Sequence, residues 1–340
     1  MDFKGEIGKH TVRHGKRLYW LDMAKALMLL PAILEHTEAG FLWDWCDSMV
    51  LAVFWMGAGY VSRPDFNIIS KAKSLLLPYL VMSALCLIFL WTYVNEPFNQ
   101  LQIEGVFYGR FKLWRDPLSE LNPKLMTDMN SVLWYLPSFF LSYLVFRLLI
   151  YVKGVARNVG AIVICVVASW LMGMLPILLP WSLDTAPAFG SLIYCGRLIR
   201  LSEILKKRAV LLTLTGVVGY TVFNQLAGVT NISIGYFGNS IFYWYAAALC
   251  GATAFLALCS LCGESALSRG LAWFNRGALF IFGMQLVFTR LAQDFYAPYG
   301  IESWKIRAVI VLIFCFAGGK ILSVLYSFAT RRLRPTSNPL

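Results

Sequence analysis

The chain has 340 residues, 59% hydrophobic and 14% charged, with a mean hydropathy of +0.64 and a net charge of +12. So little charge cannot cover a soluble ball of this size, and uninterrupted apolar runs of about 18 residues or more mark membrane-spanning helices instead. The basic surplus would suggest nucleic acid in a soluble protein, but in a membrane protein it is the Lys and Arg of cytoplasmic loops, and no nucleic-acid partner is expected. A spanning backbone must satisfy its own hydrogen bonds, which leaves helices or a closed barrel. Stretches such as LLLPYLVMSALCLIFLWTYV do not alternate as barrel strands do. The expected fold class is therefore all-α, a polytopic integral membrane protein.

In chain order, a basic cytoplasmic tail at 1–17 precedes a membrane domain over 18–330 and a second cytoplasmic tail at 331–340. The predicted spans are 18–36, 43–62, 74–94, 131–152, 158–179, 186–202, 208–226, 240–262, 273–292 and 305–329, the sixth, seventh and ninth being the weakest. No small-residue cleavage pattern follows the first run, so it is expected to stay as a membrane helix. Ten helices put both termini in the cytoplasm. With that orientation 21 of the 30 basic residues fall inside and seven outside, while Lys25 and Lys320 lie within spans. A missed helix would invert the bias partway along. The long outer loop at 95–130, with Phe107, Tyr108, Phe111 and Trp114, is too apolar for a linker and is expected to fold back over the membrane face. The cysteines read as small hydrophobes, and the pair Cys259 and Cys262 as helix packing rather than a metal site.

The chemistry concentrates in the first span, KALMLLPAILEH. Lys25 and His36 are eleven residues apart, close to three whole turns, so they share one face within about 20° and lie about 16 Å apart along the axis. Asp22 stands one turn before Lys25, and Pro31 is expected to bend the helix between lysine and histidine. Ionisable side chains on a membrane helix face the protein interior or a watery cavity. With the first helix running outward, a cation stands near the inner mouth and an imidazole near the outer end. Histidine titrates near neutrality and suits proton removal from a hydroxyl; lysine can hold a phosphate or carbonyl oxygen. Read alone, His36 equally suits a hydrated interfacial position, and Lys25 a snorkelling one. Glu35, about 100° around the helix from His36, reads as a hydrated helix end.

The order of several motifs resembles acyltransferase family 3, polytopic membrane O-acyltransferases, particularly the fucose 4-O-acetylase-like branch. RLYWLDMAKAL carries Arg17, Asp22 and Lys25, with His36 ten positions beyond the lysine; VFWMGAGYV carries Gly57, Gly59 and Tyr60; KAKSLLLPYL carries Lys71 and Lys73; SVLWYLPSFF carries Trp134 and Tyr135. WSLDTAPAF and YFGNSIFYWYAAALCG follow in the family's order. Three positions depart from it: an R-x-x-R motif is absent near Lys71, Ala58 replaces a serine, and Gln285 stands where a late-helix histidine is frequent.

The resemblance implies a ten-helix O-acyltransferase of the bacterial inner (plasma) membrane. It would move an acyl group, usually acetyl, from acetyl-CoA to a hydroxyl of a polysaccharide or lipid-linked glycan on the far side, with no permanently bound cofactor and no metal. On that reading Arg17, Gly57, Gly59, Tyr60, Lys71 and Lys73 bind the donor, its phosphates held by charge-assisted contacts. Asp22 orients Lys25, and His36 acts as general base or as a covalent acyl carrier. Trp134 and Tyr135 stack on a sugar, or simply belong to an interfacial aromatic belt. The alternative from another class is a proton-coupled transporter or flippase with His36 as its relay.

Overall fold

A computed structural model of the chain describes residues 17–37, 41–115 and 123–332. The tails at 1–16 and 333–340, together with Glu38, Asp116 and Glu120, lie outside the described residues. The described residues are helical, with three isolated β-bridges and no strand. In order the helices are α1 (Tyr19–Leu34), α2 (Phe41–Val61), α3 (Ile68–Thr92), α4 (Gln100–Tyr108), α5 (Tyr135–Leu149), α6 (Val155–Met172), α7 (Ala186–Ser202), α8 (Ile204–Ala227), α9 (Ile241–Leu261), α10 (Ala266–Ala272), α11 (Ala278–Gly283), α12 (Gln285–Tyr296) and α13 (Trp304–Arg332).

Each predicted span overlaps a helix, though 158–179 runs seven residues past α6 and 273–292 begins in the turn before α11, and six helices among the described residues are long and apolar enough to cross a membrane: α3, α5 with the single 3-10 turn before it, α6, α8, α9 and α13. The rest of the expected ten differ in form. Helices α1 and α7 have only 16 and 17 residues, at the short end for a bilayer. The ninth predicted span is broken, because α11 and α12 meet at Met284 (φ −108, ψ 8).

The weak apolar signal of α7 has a packing cause. Its residues from Ala188 to Cys195 are all buried, so protein rather than lipid surrounds that stretch and small residues suffice. Gly59 of α2 and Gly196 of α7 let the two backbones touch: a Cβ on Gly59 would lie 1.7 Å from the Ile193 carbonyl oxygen, and one on Gly196 would lie 1.9 Å from that of Met56. Small residues are the usual means of close helix approach in membranes. By contrast α8 is mostly exposed, as a helix facing lipid would be.

The described parts of the 95–130 segment, 95–115 and 123–130, are built rather than loose. Helix α4 opens on a capping box at Asn99 and Gln102 and ends at Gly109 in a left-handed conformation (φ +69), which glycine adopts without strain. Trp91 Nε1 donates to Gln102 Oε1 at 2.8 Å, and Trp181 Nε1 to the Phe107 carbonyl at 2.7 Å. Beneath it, Arg110 (0% exposed) pairs with Asp184 (1%), which also takes Arg115 at 2.6 Å. Arg110 further donates to the carbonyls of Leu179 (3.1 Å) and Ser233 (3.0 Å), and Arg115 to those of Leu175 (3.2 Å) and Gly235 (3.0 Å). Three separate connecting segments are thus held by one buried ionic knot.

Candidate functional site

The site is built along α1, whose first end meets the turn before α11 and whose far end borders a cavity walled in part by the end of α12. At the first end, Asp22 accepts from Arg17 Nε at 2.5 Å and from Asn275 Nδ2 at 2.9 Å. Asp22 is thus held by Arg17 and Asn275, and Lys25 makes no hydrogen bond or ion pair to it among the described residues. The Lys25 ammonium instead sits within Coulombic reach of both Asp22 and Lys71. Its stem lies against Gly57, where a Cβ would come within 3.1 Å of Lys25 Cε. Gly57 therefore makes room for the lysine.

Around Lys25 gathers a polar cluster at the end of α2. Lys71 Nζ lies 3.2 Å from the Tyr143 hydroxyl and 4.3 Å from its ring centre. The Tyr143 hydroxyl is 3.4 Å from Ser62 Oγ, which donates to the Ala58 carbonyl at 2.7 Å. Arg200 donates to the Tyr60 carbonyl at 2.9 Å and Arg197 to that of Ser62 at 3.4 Å. A helix C-terminus leaves carbonyls unpaired and carries partial negative charge, so cations settle there. The Tyr60 ring meets Trp20 edge-on at 5.3 Å. Two expected donor residues stand apart. Lys73 is exposed, about 200° around the helix from Lys71. Gly59, expected to open the backbone to a donor, is filled by α7.

At the other end His36 lies just past α1, its N–H donating to the Ile33 carbonyl at 3.3 Å. Its Nε2 is buried with no hydrogen-bond partner, and the nearest carboxylate oxygen, Glu35 Oε2, is 3.7 Å away. The imidazole borders a cavity of about 290 Å³ lined by His36, Thr37, Gln293, Tyr296, Trp304, Arg307 and Val311. A buried imidazole nitrogen beside a cavity has a lone pair or proton to offer whatever enters. Arg307 is held by the Glu302 carbonyl at 2.8 Å and lies over the Tyr296 ring at 6.0 Å. Trp134 and Tyr135 are elsewhere. Trp134 is 6% exposed with its ring 6.5 Å from Phe189, and Tyr135 packs edge-on to Phe282 at 4.5 Å. They stand in the core, outside the His36 cavity lining.

The structure thus brings Arg17, Asp22, Lys25, Gly57 and Lys71 together at one end of α1 and leaves His36 at the other. The residues missed from sequence are those that other elements supply: Asn275, Tyr143, Arg197 and Arg200 at the first end, Gln293, Tyr296, Trp304 and Arg307 at the second. Arg197, Arg200 and Arg307 were visible only as loop charges. The one local signal was polar Gln293 and Tyr296, three residues apart near the end of a span.

A family model described as an acyltransferase domain matches residues 48–327. No curated protein and no solved structure gives a significant match. The match begins after α1, so the case for Lys25 and His36 stands on geometry. It takes in the rest of the helical body, from the third turn of α2 to the last turns of α13, and on that extent the chain belongs to acyltransferase family 3.

Proposed function

We propose that this acyltransferase is a multi-pass protein of the bacterial inner membrane, in the fucose 4-O-acetylase-like branch, with about ten helices and both termini cytoplasmic. It moves an acetyl group from cytoplasmic acetyl-CoA to a hydroxyl of an extracytoplasmic carbohydrate. The observation that carries the reading is the unpartnered Nε2 of His36 beside a cavity, at the far end of a helix whose near end is basic.

The donor's phosphates lie against Lys71 and Lys25 at the cytoplasmic end, with Arg17 close by. Gly57 gives Lys25 its place, and the arm of the donor runs along the α1 stripe. The acceptor hydroxyl enters the His36 cavity. His36 Nε2 takes the hydroxyl proton as the oxygen attacks the thioester carbonyl. The carbon–sulfur bond then breaks and the thiolate leaves toward the cytoplasm. Arg307 offers a cation across the cavity for the oxyanion. Asp22, held by Arg17 and Asn275, keeps the base of α1 against the α10–α11 turn.

The test is transfer of labelled acetyl from acetyl-CoA to cell-envelope glycan by purified protein in nanodiscs, beside glycan mass spectrometry of wild-type and deletion cells. The reading expects a glycan heavier by one acetyl unit only where the protein is present. Equal glycan masses, with no label transferred, sink it.

A further inference from the structure

One charged side chain within a span takes no part in the reading above. Lys320 stands in α13, and no acid answers it. Its ammonium lies over the Trp273 ring and 4.9 Å from the ring centre of Phe274, both in the turn before α11. That turn lies close on α13: a Cβ on Gly277 (φ +85) would come within 3.5 Å of Lys320 Cα. The charge acting on Lys320 is that of Arg276, a second cation from the same turn. Neither makes a hydrogen bond or an ion pair among the described residues. The ammonium carries three N–H donors and the guanidinium five. The rings attract the charge but offer no oxygen to those donors.

The surroundings of this pair are apolar and open. On α13 the residues Ile306, Ile313, Ala317, Lys320 and Val324 fall within about 60° of one face. All but Lys320 are exposed, Ile313 at 59% and Val324 at 66%, so the lysine interrupts a stripe that suits lipid. Trp273 and Phe274 are exposed as well. Lys320 comes sixteen residues after Trp304, where the span opens, or about 24 Å along the axis. A hydrocarbon core is about 30 Å thick, which puts the ammonium within reach of the headgroups at the far end of the span. A charge facing hydrocarbon is costly unless it is paired, and a second cation beside it adds to that cost.

We propose that Lys320 and Arg276 form a site for the headgroup of an anionic phospholipid in the cytoplasmic leaflet, with an acyl chain lying along the α13 stripe. The inference rests on the orientation given above and on neither the acyl donor nor the acceptor. Three features select the ligand. A phosphodiester supplies the oxygen acceptors that both cations lack, through charge-assisted bonds. The exposed stripe from Lys320 back to Ile306 runs about 21 Å; it offers a bed to an acyl chain and nothing to a free phosphate. The aromatic rings, which could hold a choline cation, already hold Lys320, so a zwitterionic headgroup finds its positive half repelled. Basic pockets between helices on the cytoplasmic side suit such lipids. The same turn carries Asn275, which holds Asp22, so the lipid sits on the element that anchors α1.

The experiment uses the full chain in nanodiscs and a photoreactive phosphatidylglycerol, its diazirine on an acyl chain, with crosslinks mapped by peptide mass spectrometry. Wild type should be labelled on α13 between Ile306 and Val324. Unlabelled phosphatidylglycerol should displace the probe there about 25-fold better than phosphatidylcholine, since each cation near the surface is worth about fivefold in affinity for an anionic lipid. Lys320→Gln and Arg276→Gln should each cut that preference about fivefold, and Lys320→Arg should keep it. Lys207→Gln, which removes an exposed cation of α8, should leave it unchanged. Equal displacement by the two lipids, or an undiminished preference in folded Arg276→Gln protein, overturns the proposal. So does displacement by millimolar inorganic phosphate, which would make the pair a site for soluble anions. Should Lys320→Gln fail to fold, Arg276→Gln still decides, because Arg276 is exposed. An orientation opposite to the one above would show instead as cytoplasmic labelling of Lys124→Cys; it would overturn the leaflet and leave the lipid preference measured here.

Discussion

Two sets of buried ionisable groups in this molecule are built on opposite terms. In the Arg110–Asp184–Arg115 knot, two guanidiniums share one carboxylate, one on each oxygen, and each guanidinium also donates to backbone carbonyls. Along α1, Lys25 has no direct partner among the described residues and His36 keeps a buried nitrogen unpaired. A saturated ionic knot has nothing left to offer a ligand, and its worth is conformational, since removing one member strands the rest in a dry interior. An unsaturated pair costs stability where it stands and gains it back only when something binds. The contrast separates a clamp from a site within one bundle.

The sharpest way to break this contrast is to exchange the expected phenotypes. His36→Ala should lower acetyl transfer by about 10²–10⁴-fold while leaving the melting temperature and CoA binding near wild type. Asp184→Ala should do the reverse. Stranding Arg110 costs about 3–5 kcal/mol, read as a lower melting temperature and detergent stability, with kcat per folded molecule little changed. Near-normal transfer by folded His36→Ala protein, or a stable Asp184→Ala protein that is dead, would dissolve the distinction.

Smaller effects sharpen it. Lys71→Ala should raise the KM for acetyl-CoA several-fold with kcat held, because a phosphate contact acts in ground and transition states alike. Lys73→Ala should change little, since Lys73 is exposed on another face of α3. Equal effects of the two would mean that the donor meets α3 from outside the bundle. The glycines divide in the same way. Gly59→Ala drives a methyl into the Ile193 carbonyl and should destabilise by at least about 1–3 kcal/mol. Gly57→Ala meets only the flexible stem of Lys25 at 3.1 Å, so its stability should stay within about 1 kcal/mol of wild type, with donor KM as the altered quantity. Orientation is tested by Lys124→Cys, which membrane-impermeant thiol reagents should label from the periplasm.

Much of this protein was legible in its sequence, for reasons that act over short distances. Long apolar runs are one-dimensional, because the bilayer selects each helix almost independently of its neighbours. The eleven-residue spacing of Lys25 and His36 follows from helical pitch alone. Motif order was enough to suggest the family that the later match supports. What failed to show was everything supplied across the bundle. Asp22 was expected to serve Lys25 because both lie on one helix; Arg17 and Asn275 hold it because folding brings the α10–α11 turn to the base of α1. Gly57 and Gly59 looked equivalent in sequence, yet one faces Lys25 and the other the α7 backbone, since two residues on a helix point about 200° apart. The walls of the His36 cavity come from α12 and α13, more than 250 positions away along the chain. Helix formation is local and its period can be read from composition, whereas which faces meet depends on how all the helices pack at once, and only the tertiary structure decided that.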